Sequence, residues 1–204
     1  MKNPNQQYET RSRVEEEILA VYKYGSRVYK CATKESDWDY IVVVESPYED
    51  LKYSVIKDNV NLTVYSEQNF IEEIKNHHIS VLECIFQKTN DMFKKHFELD
   101  SEKLRRAISS VASNSYVKCK KKIRDGEVYI GKKSLFHSIR ILMFGIQIAK
   151  YGKIVNYEEA NNYHKIIFEM GDDWSELDKE FKPVYNALKS KFKRLAPLES
   201  DKGE

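Results

Sequence analysis

The chain has 204 residues, of which 41% are hydrophobic and 32% charged, and its net charge is only +2. This balance supports one large or two small folded domains, and it excludes a disordered acidic chain and a strongly basic nucleic-acid-binding chain. No apolar run approaches the roughly 20 residues that span a bilayer, so we expect no membrane partner.

The N-terminus and the cysteines indicate the cellular compartment. Residues 1–13 are polar and lack the apolar core of a signal peptide. The three cysteines, Cys31, Cys84 and Cys119, are odd in number, and no pair has metal-ligand spacing. We therefore expect reduced thiols and a cytoplasmic protein.

The first elements lead into a buried strand. Residues 9–17 are charged and predict a short helix, which residues 18–24 could continue. The β propensity of the last part of that segment favours a strand instead. A helical turn is then predicted over residues 27–31. Residues 40–44 are apolar and mostly β-branched, which predicts a second, buried strand over residues 40–45.

A hairpin and two short helices follow. Residues 51–57 and 60–66 are strand-like and flank Asp58-Asn59. An Asp-Asn pair tolerates positive φ, so this spacing predicts a tight hairpin. Two helices are predicted over residues 67–75 and 80–86.

Strand patterns largely stop after about residue 90. Four helices are predicted, over residues 101–124, 134–151, 157–170 and 174–195. Ser101 is a suitable N-cap for the first of them, and Gly126 and Gly131 are expected to bracket a loop after it. The chain therefore divides into an α/β core over residues 1–90 and an all-helical domain over residues 91–204.

Asp37 and Asp39 are the candidate catalytic residues and metal ligands. Two carboxylates one residue apart at the start of a strand lie on the same side of it, while Trp38 between them should point into the core. Mg²⁺ is usually held by one or two carboxylates together with substrate phosphates, and two carboxylates can also serve a two-metal site. Gly25 allows close approach of a phosphate, and the Ser26 hydroxyl can donate to it. These residues predict a site for Mg²⁺ or Mn²⁺ carrying a polyphosphate.

The arrangement of Tyr24-Gly25-Ser26, a ten-residue spacer and Asp37-Trp38-Asp39 resembles that of the polymerase-β-like nucleotidyltransferase superfamily. The resemblance implies an α+β fold, with a small mixed β-sheet core, flanking helices and a helical C-terminal domain. It also implies NMP transfer from an NTP to a hydroxyl acceptor.

A further resemblance, to a branch of predicted nucleotidyltransferases associated with RNA repair, covers most of the chain. It involves Val64-Tyr65 leading to Phe70, the segment Val81-Leu82-Glu83, and Lys133, His137 and Arg140 in a Lys-x-x-x-His-x-x-Arg pattern. This resemblance implies RNA as the acceptor.

Superfamily members usually carry a third carboxylate on a neighbouring strand, as a metal ligand and base. The matching position here is Asn61, whose amide cannot accept a proton. The alignment could be displaced by a few residues, with Asp58, Glu67 or Glu83 as substitutes. Alternatively the enzyme works with two acids, or the site is degenerate.

Lys133, His137 and Arg140 lie at i, i+4 and i+7 on an otherwise apolar helix. A basic stripe there requires an anionic partner, because burying unpaired charge is costly. One hypothesis is a clamp for the triphosphate or for RNA phosphate, and the other is a salt bridge to an acid such as Glu83. The same alternatives, a phosphate contact or a solvated helix end, apply to the basic run at residues 118–124. His77, His78 and His96 are expected on the surface.

The leading hypothesis is a metal-dependent nucleotidyltransferase. Asp37 and Asp39 hold the metal, while Gly25, Ser26, Lys133, His137 and Arg140 bind the nucleotide phosphates. A catalytically degenerate nucleotide- or RNA-binding protein is the alternative. An antitoxin-like nucleotidyltransferase that acts on a protein is a third possibility.

Overall fold

The computed structural model describes residues 17–199. The fold is α+β, as predicted: a small mixed sheet of four strands with flanking helices is followed by a helical region. The predicted helix over residues 9–17 lies outside the described residues except for Glu17, and so do residues 200–204 of the polar tail.

The sheet has the strand order β1-β2-β4-β3. Its strands are β1 (Ile18–Tyr24), β2 (Trp38–Val44), β3 (Lys52–Lys57) and β4 (Val60–Ser66). Strands β2 and β4 are parallel, and the other two pairings are antiparallel. The start of β2, with its aspartates, therefore lies in the middle of the sheet, between the end of β1 and the start of β4.

The predicted hairpin between β3 and β4 is confirmed. Lys57 pairs with Val60, which leaves Asp58 and Asn59 as a two-residue turn. Asp58 has a φ of +53°, the left-handed conformation that a short polar side chain tolerates. The turn fixes the register of β4 and hence the position of Asn61.

One face of the sheet is covered by α1 (Glu67–Lys75) and α2 (Ile79–Ile85). Ile41 and Val43 of β2 are buried on this face, and Phe70 of α1 stacks on Tyr22 with ring centroids 5.6 Å apart. Asp39 points to the same face as Ile41 because alternate strand side chains share a side. It therefore lies at the rim of the covered face.

The helical region is built around its second helix. Its members are α3 (Ser101–Arg124), α4 (Val128–Tyr151), α5 (Asn161–Glu169) and α6 (Trp174–Leu195). Helix α4 is apolar on almost every side and packs against α3, α5 and α6. One buried apolar cluster runs from the sheet through these helices, including Ile41, Phe144 and Phe192. Burying each such side chain contributes about 2 kcal/mol, so the two halves stabilise one another.

Two details of the predicted helices are wrong. The N-cap of α3 is Asp100, not Ser101, because the Asp100 carboxylate accepts hydrogen bonds from the backbone N–H groups of Glu102 and Lys103. Gly131 does not end a loop but lies inside α4, which begins at Val128. A Cβ at Gly131 would lie 2.5 Å from Ile123, so this glycine allows α3 and α4 to pack closely.

His77 is buried rather than on the surface. Its Nδ1 lies 3.1 Å from the Lys75 carbonyl, and its Nε2 accepts a hydrogen bond from the Asp100 backbone N–H at 3.0 Å. The ring therefore connects the end of α1 to the start of α3. None of the described helices is long and apolar enough to cross a bilayer.

Candidate active site

The end of β1 and the start of β2 bring Gly25 against Asp39. Tyr24 pairs with Asp39 across the two antiparallel strands, and the chain then turns through a short 3₁₀ segment, Gly25–Arg27. Gly25 has a φ of +78°, and a Cβ there would lie 2.4 Å from Oδ2 of Asp39. Glycine is required here for both its conformation and its size. The Gly-Ser turn and the second aspartate are thus in direct contact.

Asn61 occupies the neighbouring position on β4. The parallel register pairs Asp39 with Asn61, and the Asn61 Nδ2 donates a hydrogen bond to Asp39 Oδ1 over 3.0 Å. Asn61 is therefore the residue that stands beside Asp39 on the neighbouring strand, as the sequence pattern predicts. An amide cannot accept a proton, so Asn61 positions Asp39 without acting as a base.

Asp37 is exposed just before β2, and Arg27 holds its backbone in place. The guanidinium of Arg27 donates to the Ser36 carbonyl at 2.5 Å and to the Asp37 carbonyl at 3.3 Å. It also lies 4.0 Å from the ring centroid of Trp38. The sequence pattern did not identify Arg27, although its position directly after Gly25-Ser26 could have drawn attention to it.

Trp38 does not point into the core, contrary to expectation. It is half-buried, stacks on Tyr40, and lies under the Arg27 guanidinium and the Lys23 ammonium. The helices cover only the face that carries Ile41, so the opposite face leaves Trp38 available to cations. Its cation–π contacts keep the Asp37 segment close to the sheet.

The aspartate pair fits a hard divalent cation. Asp37 is exposed just before β2 and Asp39 is half-buried within it, and both have the carboxylate oxygens that such an ion takes as ligands. Within residues 17–199, no cluster of three or more carboxylate, histidine or cysteine side chains is arranged to hold a metal. Two carboxylates with phosphate oxygens and water suit Mg²⁺, whereas a fully protein-enclosed ion would need more ligands.

Asp39 also affects its neighbour on β1. Burial, and secondly the Asp39 carboxylate, raise the pKa of Tyr24 to about 12. An ordinary tyrosine is already neutral at physiological pH, and this shift widens the pH range over which Tyr24 stays a neutral phenol.

A cavity of about 420 Å³ opens beside the Gly-Ser turn, between the segment that links β1 to β2 and the helical region. Ser26 and Ser36 line it from the first half of the chain, and Lys133, His137 and Arg140 line it from α4. The tertiary structure thus brings Ser26 together with all three residues of the predicted basic stripe. Gly25 contacts Asp39 at the adjoining rim.

Arg140 is buried and paired inside the protein. Only 3% of the residue is exposed, and its Nη1 donates to Glu83 Oε1 on α2 over 2.9 Å. Its guanidinium also lies 4.0 Å from the centroid of Tyr29. Burial raises the pKa of Glu83, with Arg140 acting in the opposite direction. Of the two hypotheses for Arg140, the salt bridge to Glu83 is the one that the structure contains.

His137 receives a hydrogen bond from this pair. The Arg140 Nη2 lies 2.9 Å from His137 Nδ1, and a guanidinium can only donate. Nδ1 must therefore be the acceptor, which places the proton of the neutral ring on Nε2. Burial, Arg140 and Lys118 lower the pKa of His137 to about 3. His137 is thus a neutral residue of the cavity wall with an N–H donor at Nε2.

Lys133 and Lys118 provide the free positive charge of the cavity. Both are exposed and line it, Lys133 from α4 and Lys118 from α3. Lys118 belongs to the basic run of residues 118–124, so one residue of that run contributes to the cavity.

Several lining residues were not identified from the sequence. They are Tyr29, Phe136, Tyr129 and His164, all of which have aromatic rings. Phe136 is one of the apolar residues of the predicted helix over residues 134–151, and Tyr129 lies in the predicted loop between Gly126 and Gly131. No short motif marks these residues, because they meet only when α4 and α5 pack beside the 3₁₀ turn.

Comparison with known protein families gives a match. The model of the family described as a nucleotidyltransferase domain matches residues 8–109 of this chain. Among solved structures, a nucleotidyltransferase-like protein from Exiguobacterium sibiricum is similar at 14% identity and a TM-score of 0.36, covering 87% of this chain and 69% of that chain. No curated protein matches the chain.

Proposed function

We propose that this chain, which belongs to the nucleotidyltransferase domain family, transfers NMP from an NTP to a hydroxyl group of RNA. The proposed reaction depends on a divalent metal ion. The single observation that carries the proposal is the contact of Gly25 with the Asp39 carboxylate. This contact supports the proposal because it brings the Gly-Ser turn, our candidate phosphate-binding turn, against Asp39, one of the two candidate metal ligands.

The reaction needs charge neutralisation and alignment more than covalent help. The acceptor oxygen attacks the α-phosphorus, the bond to the β-phosphate oxygen breaks, and pyrophosphate leaves. A divalent cation such as Mg²⁺ or Mn²⁺, held by Asp37 and Asp39, would neutralise phosphate charge. Because Asn61 cannot accept a proton, the hydroxyl proton passes to water or to a carboxylate of the pair.

The remaining residues bind and orient the phosphates. Ser26 donates at the turn, and Lys133 supplies positive charge from the other side of the cavity. His137 donates from Nε2, and Arg140 acts through His137 because its own guanidinium is paired with Glu83. In this proposal residues 1–90 supply the metal-binding part, and residues 91–204 form the helical domain that closes over the phosphates.

A non-catalytic nucleotide- or RNA-binding protein is the second candidate, and Asn61 favours it. The amide of Asn61, beside Asp39, donates a hydrogen bond to one of the two carboxylate oxygens that a metal would need. We also propose a cytoplasmic location, which the three free cysteines support.

A transfer assay separates the candidates. The protein is incubated with Mg²⁺ and each α-labelled NTP, with RNA oligonucleotides or protein as acceptors. We expect labelled RNA from the wild type, and a loss of about a hundredfold or more in Asp37→Asn/Asp39→Asn, since electrostatic stabilisers contribute on this order.

Asp58→Asn is the matched control, because it removes one carboxylate from the hairpin turn and keeps a residue that tolerates positive φ. Transfer that persists in the double variant contradicts the mechanism. NTP binding without turnover on any acceptor favours the binding protein, and labelled protein in place of labelled RNA would change the acceptor.

A further inference from the structure

One wall of the cavity is a row of aromatic rings. Tyr129, His164, Phe136 and Tyr29 line it, and we call these four residues the aromatic wall. The His164 and Phe136 centroids are 4.9 Å apart, and those of Phe136 and Tyr29 are 6.2 Å apart. Phe168 connects the outer end, at 5.6 Å from Tyr129 and 4.5 Å from His164. The rings thus form a connected series from the exposed Tyr129 to the buried Phe136 and Tyr29.

The outer end of the aromatic wall is accessible. Tyr129 is 55% exposed, although it lies on α4 and packs edge-to-face on Phe168. Lys133 Nζ lies 5.5 Å from its ring centroid. Tyr129 is therefore an accessible ring whose orientation is restricted by Phe168 and which has a positive charge beside it, and a base can stack on an aromatic side chain of this kind.

The charge of the cavity favours an anionic ligand. Lys118 and Lys133 line it, and no aspartate or glutamate is found among its lining residues within residues 17–199. Arg140 contributes little net charge because Glu83 neutralises it. Burial and Lys133 lower the pKa of His164, so this ring is neutral and can stack at physiological pH. Hydroxyl groups of Ser26, Ser115 and Ser134 add polar partners.

We propose that this cavity is a nucleobase subsite, in which a base stacks on the aromatic wall while its phosphates contact Lys118, Lys133 and Ser26. The volume of about 420 Å³ lies within the range of small-ligand sites. The proposal rests on the proposed function for the identity of the ligand as a nucleotide. The base belongs either to the NTP or to the terminal nucleotide of the acceptor strand, and both present the same chemistry.

Calorimetry on the full chain in the presence of EDTA tests the subsite without metal. The probes are ATP, inorganic tripolyphosphate and a short oligoadenylate RNA. We expect the wild type to bind ATP or the RNA more tightly than tripolyphosphate, which has no base. Tyr129→Leu should weaken the base-containing ligand about tenfold and leave tripolyphosphate unchanged, because stacking needs an aromatic face. Tyr129→Phe should bind like the wild type.

The end of the same helix offers a matched control. Tyr151 is 50% exposed and has Lys150 Nζ at 4.9 Å from its centroid, but it lies outside the cavity. Tyr151→Leu should leave all affinities unchanged. A weaker affinity of Tyr129→Leu for ATP would identify the base of the NTP as the occupant of the subsite. A weaker affinity for the RNA would identify the base of the acceptor strand instead. Equal affinities of Tyr129→Leu and wild type for both ligands overturn the proposal, as does a wild type that binds neither.

The two proposals fail separately. If the protein binds base-containing ligands through Tyr129 but has no transfer activity, the subsite is supported and the catalytic proposal is contradicted. If transfer requires Asp37 and Asp39 but nucleotide and RNA binding do not change in Tyr129→Leu, the catalytic proposal is supported and the subsite is contradicted.

Discussion

Asn61 donates a hydrogen bond to Asp39 over 3.0 Å, from the position at which the resemblance to polymerase-β-like enzymes implies a third carboxylate. The parallel pairing of β2 and β4 sets these residues side by side. The amide orients Asp39 and avoids the repulsion that a third carboxylate would bring in the absence of metal. The site therefore has two carboxylates, and any cation it binds must take more of its ligands from phosphate and water.

Asn61→Asp should make stability depend on divalent metal. The substitution removes the hydrogen bond to Asp39 and adds a like charge, so we expect a loss of about 1–2 kcal/mol in EDTA. Mg²⁺ should recover that loss, because three carboxylates bind the ion more tightly. Thermal unfolding with and without Mg²⁺ measures both effects.

Asn61→Ala is the control for Asn61→Asp, since it removes the donor without adding charge. It should be destabilised equally with and without Mg²⁺. If Mg²⁺ stabilises Asn61→Asp no more than Asn61→Ala, the two aspartates do not form a metal site with position 61.

Gly25→Ala should disrupt the aspartate site specifically. The added Cβ meets Asp39 Oδ2 at 2.4 Å, and the φ of +78° is unfavourable for alanine by about 1–2 kcal/mol. Gly126→Ala is matched, because its φ is +82° and its Cβ would meet nothing within 4 Å. Both variants should lose stability in urea unfolding through the unfavourable φ, and Gly25→Ala should lose more because its Cβ also meets Asp39. Only Gly25→Ala should lose nucleotidyl transfer, and equal transfer in the two would show that the Gly25–Asp39 contact is unimportant.

Removing one partner of the Glu83–Arg140 pair should lower the free energy of unfolding much more than replacing both partners with apolar residues. Glu83→Gln leaves the Arg140 charge buried without its counter-ion, so we expect a loss of about 3 kcal/mol in the free energy of unfolding. Glu83→Leu/Arg140→Met should recover most of it, because two apolar side chains leave no unpaired charge. Urea unfolding checks both expectations.

An exposed pair provides the control for the buried one. Lys165 and Glu169 lie 3.9 Å apart on α5 with both side chains largely in solvent. Glu169→Gln should change stability by about 0.5 kcal/mol or less. A loss in Glu83→Gln no larger than this would mean that the interior pair is effectively solvated.

His137 should make the protein less stable at acidic pH. Its folded pKa is lowered to about 3 by burial, Arg140 and Lys118, while the unfolded value is near 6.5. The unfolded state therefore binds more protons between these values, and stability falls as pH drops below about 6.5, by at most about 1.4 kcal/mol per pH unit from this group. His137→Gln can still accept from Arg140 but does not titrate.

Urea unfolding between pH 4.5 and 7 measures the difference between wild type and His137→Gln. The other histidines titrate in both proteins and cancel in the comparison. The wild-type curve should be the steeper of the two, and parallel curves would show that His137 is protonated as readily in the folded state as in the unfolded one.

Local patterns in the sequence determined much of the fold. The bounds of α6 match the prediction to the residue, those of α3 match it within one residue at the N-terminus, and the Asp58-Asn59 turn predicted the hairpin. These elements depend on residues near in sequence: caps, turn residues and apolar periodicity. The positions of Gly25 in a turn and of Asp37 and Asp39 at the start of a strand could likewise be predicted from the sequence, because each follows from adjacent residues.

The tertiary structure alone decided how the site is completed. Asn61 contacts Asp39 through the parallel pairing of two strands, and Arg140 contacts Glu83 although 57 residues separate them in the sequence. Tyr129 lines the cavity because α4 begins at Val128, before Gly131. The orientation of Trp38 depended on which face of the sheet the helices cover. Such contacts are set by the packing of distant segments, and a local pattern contains no information about which distant partner a side chain will meet.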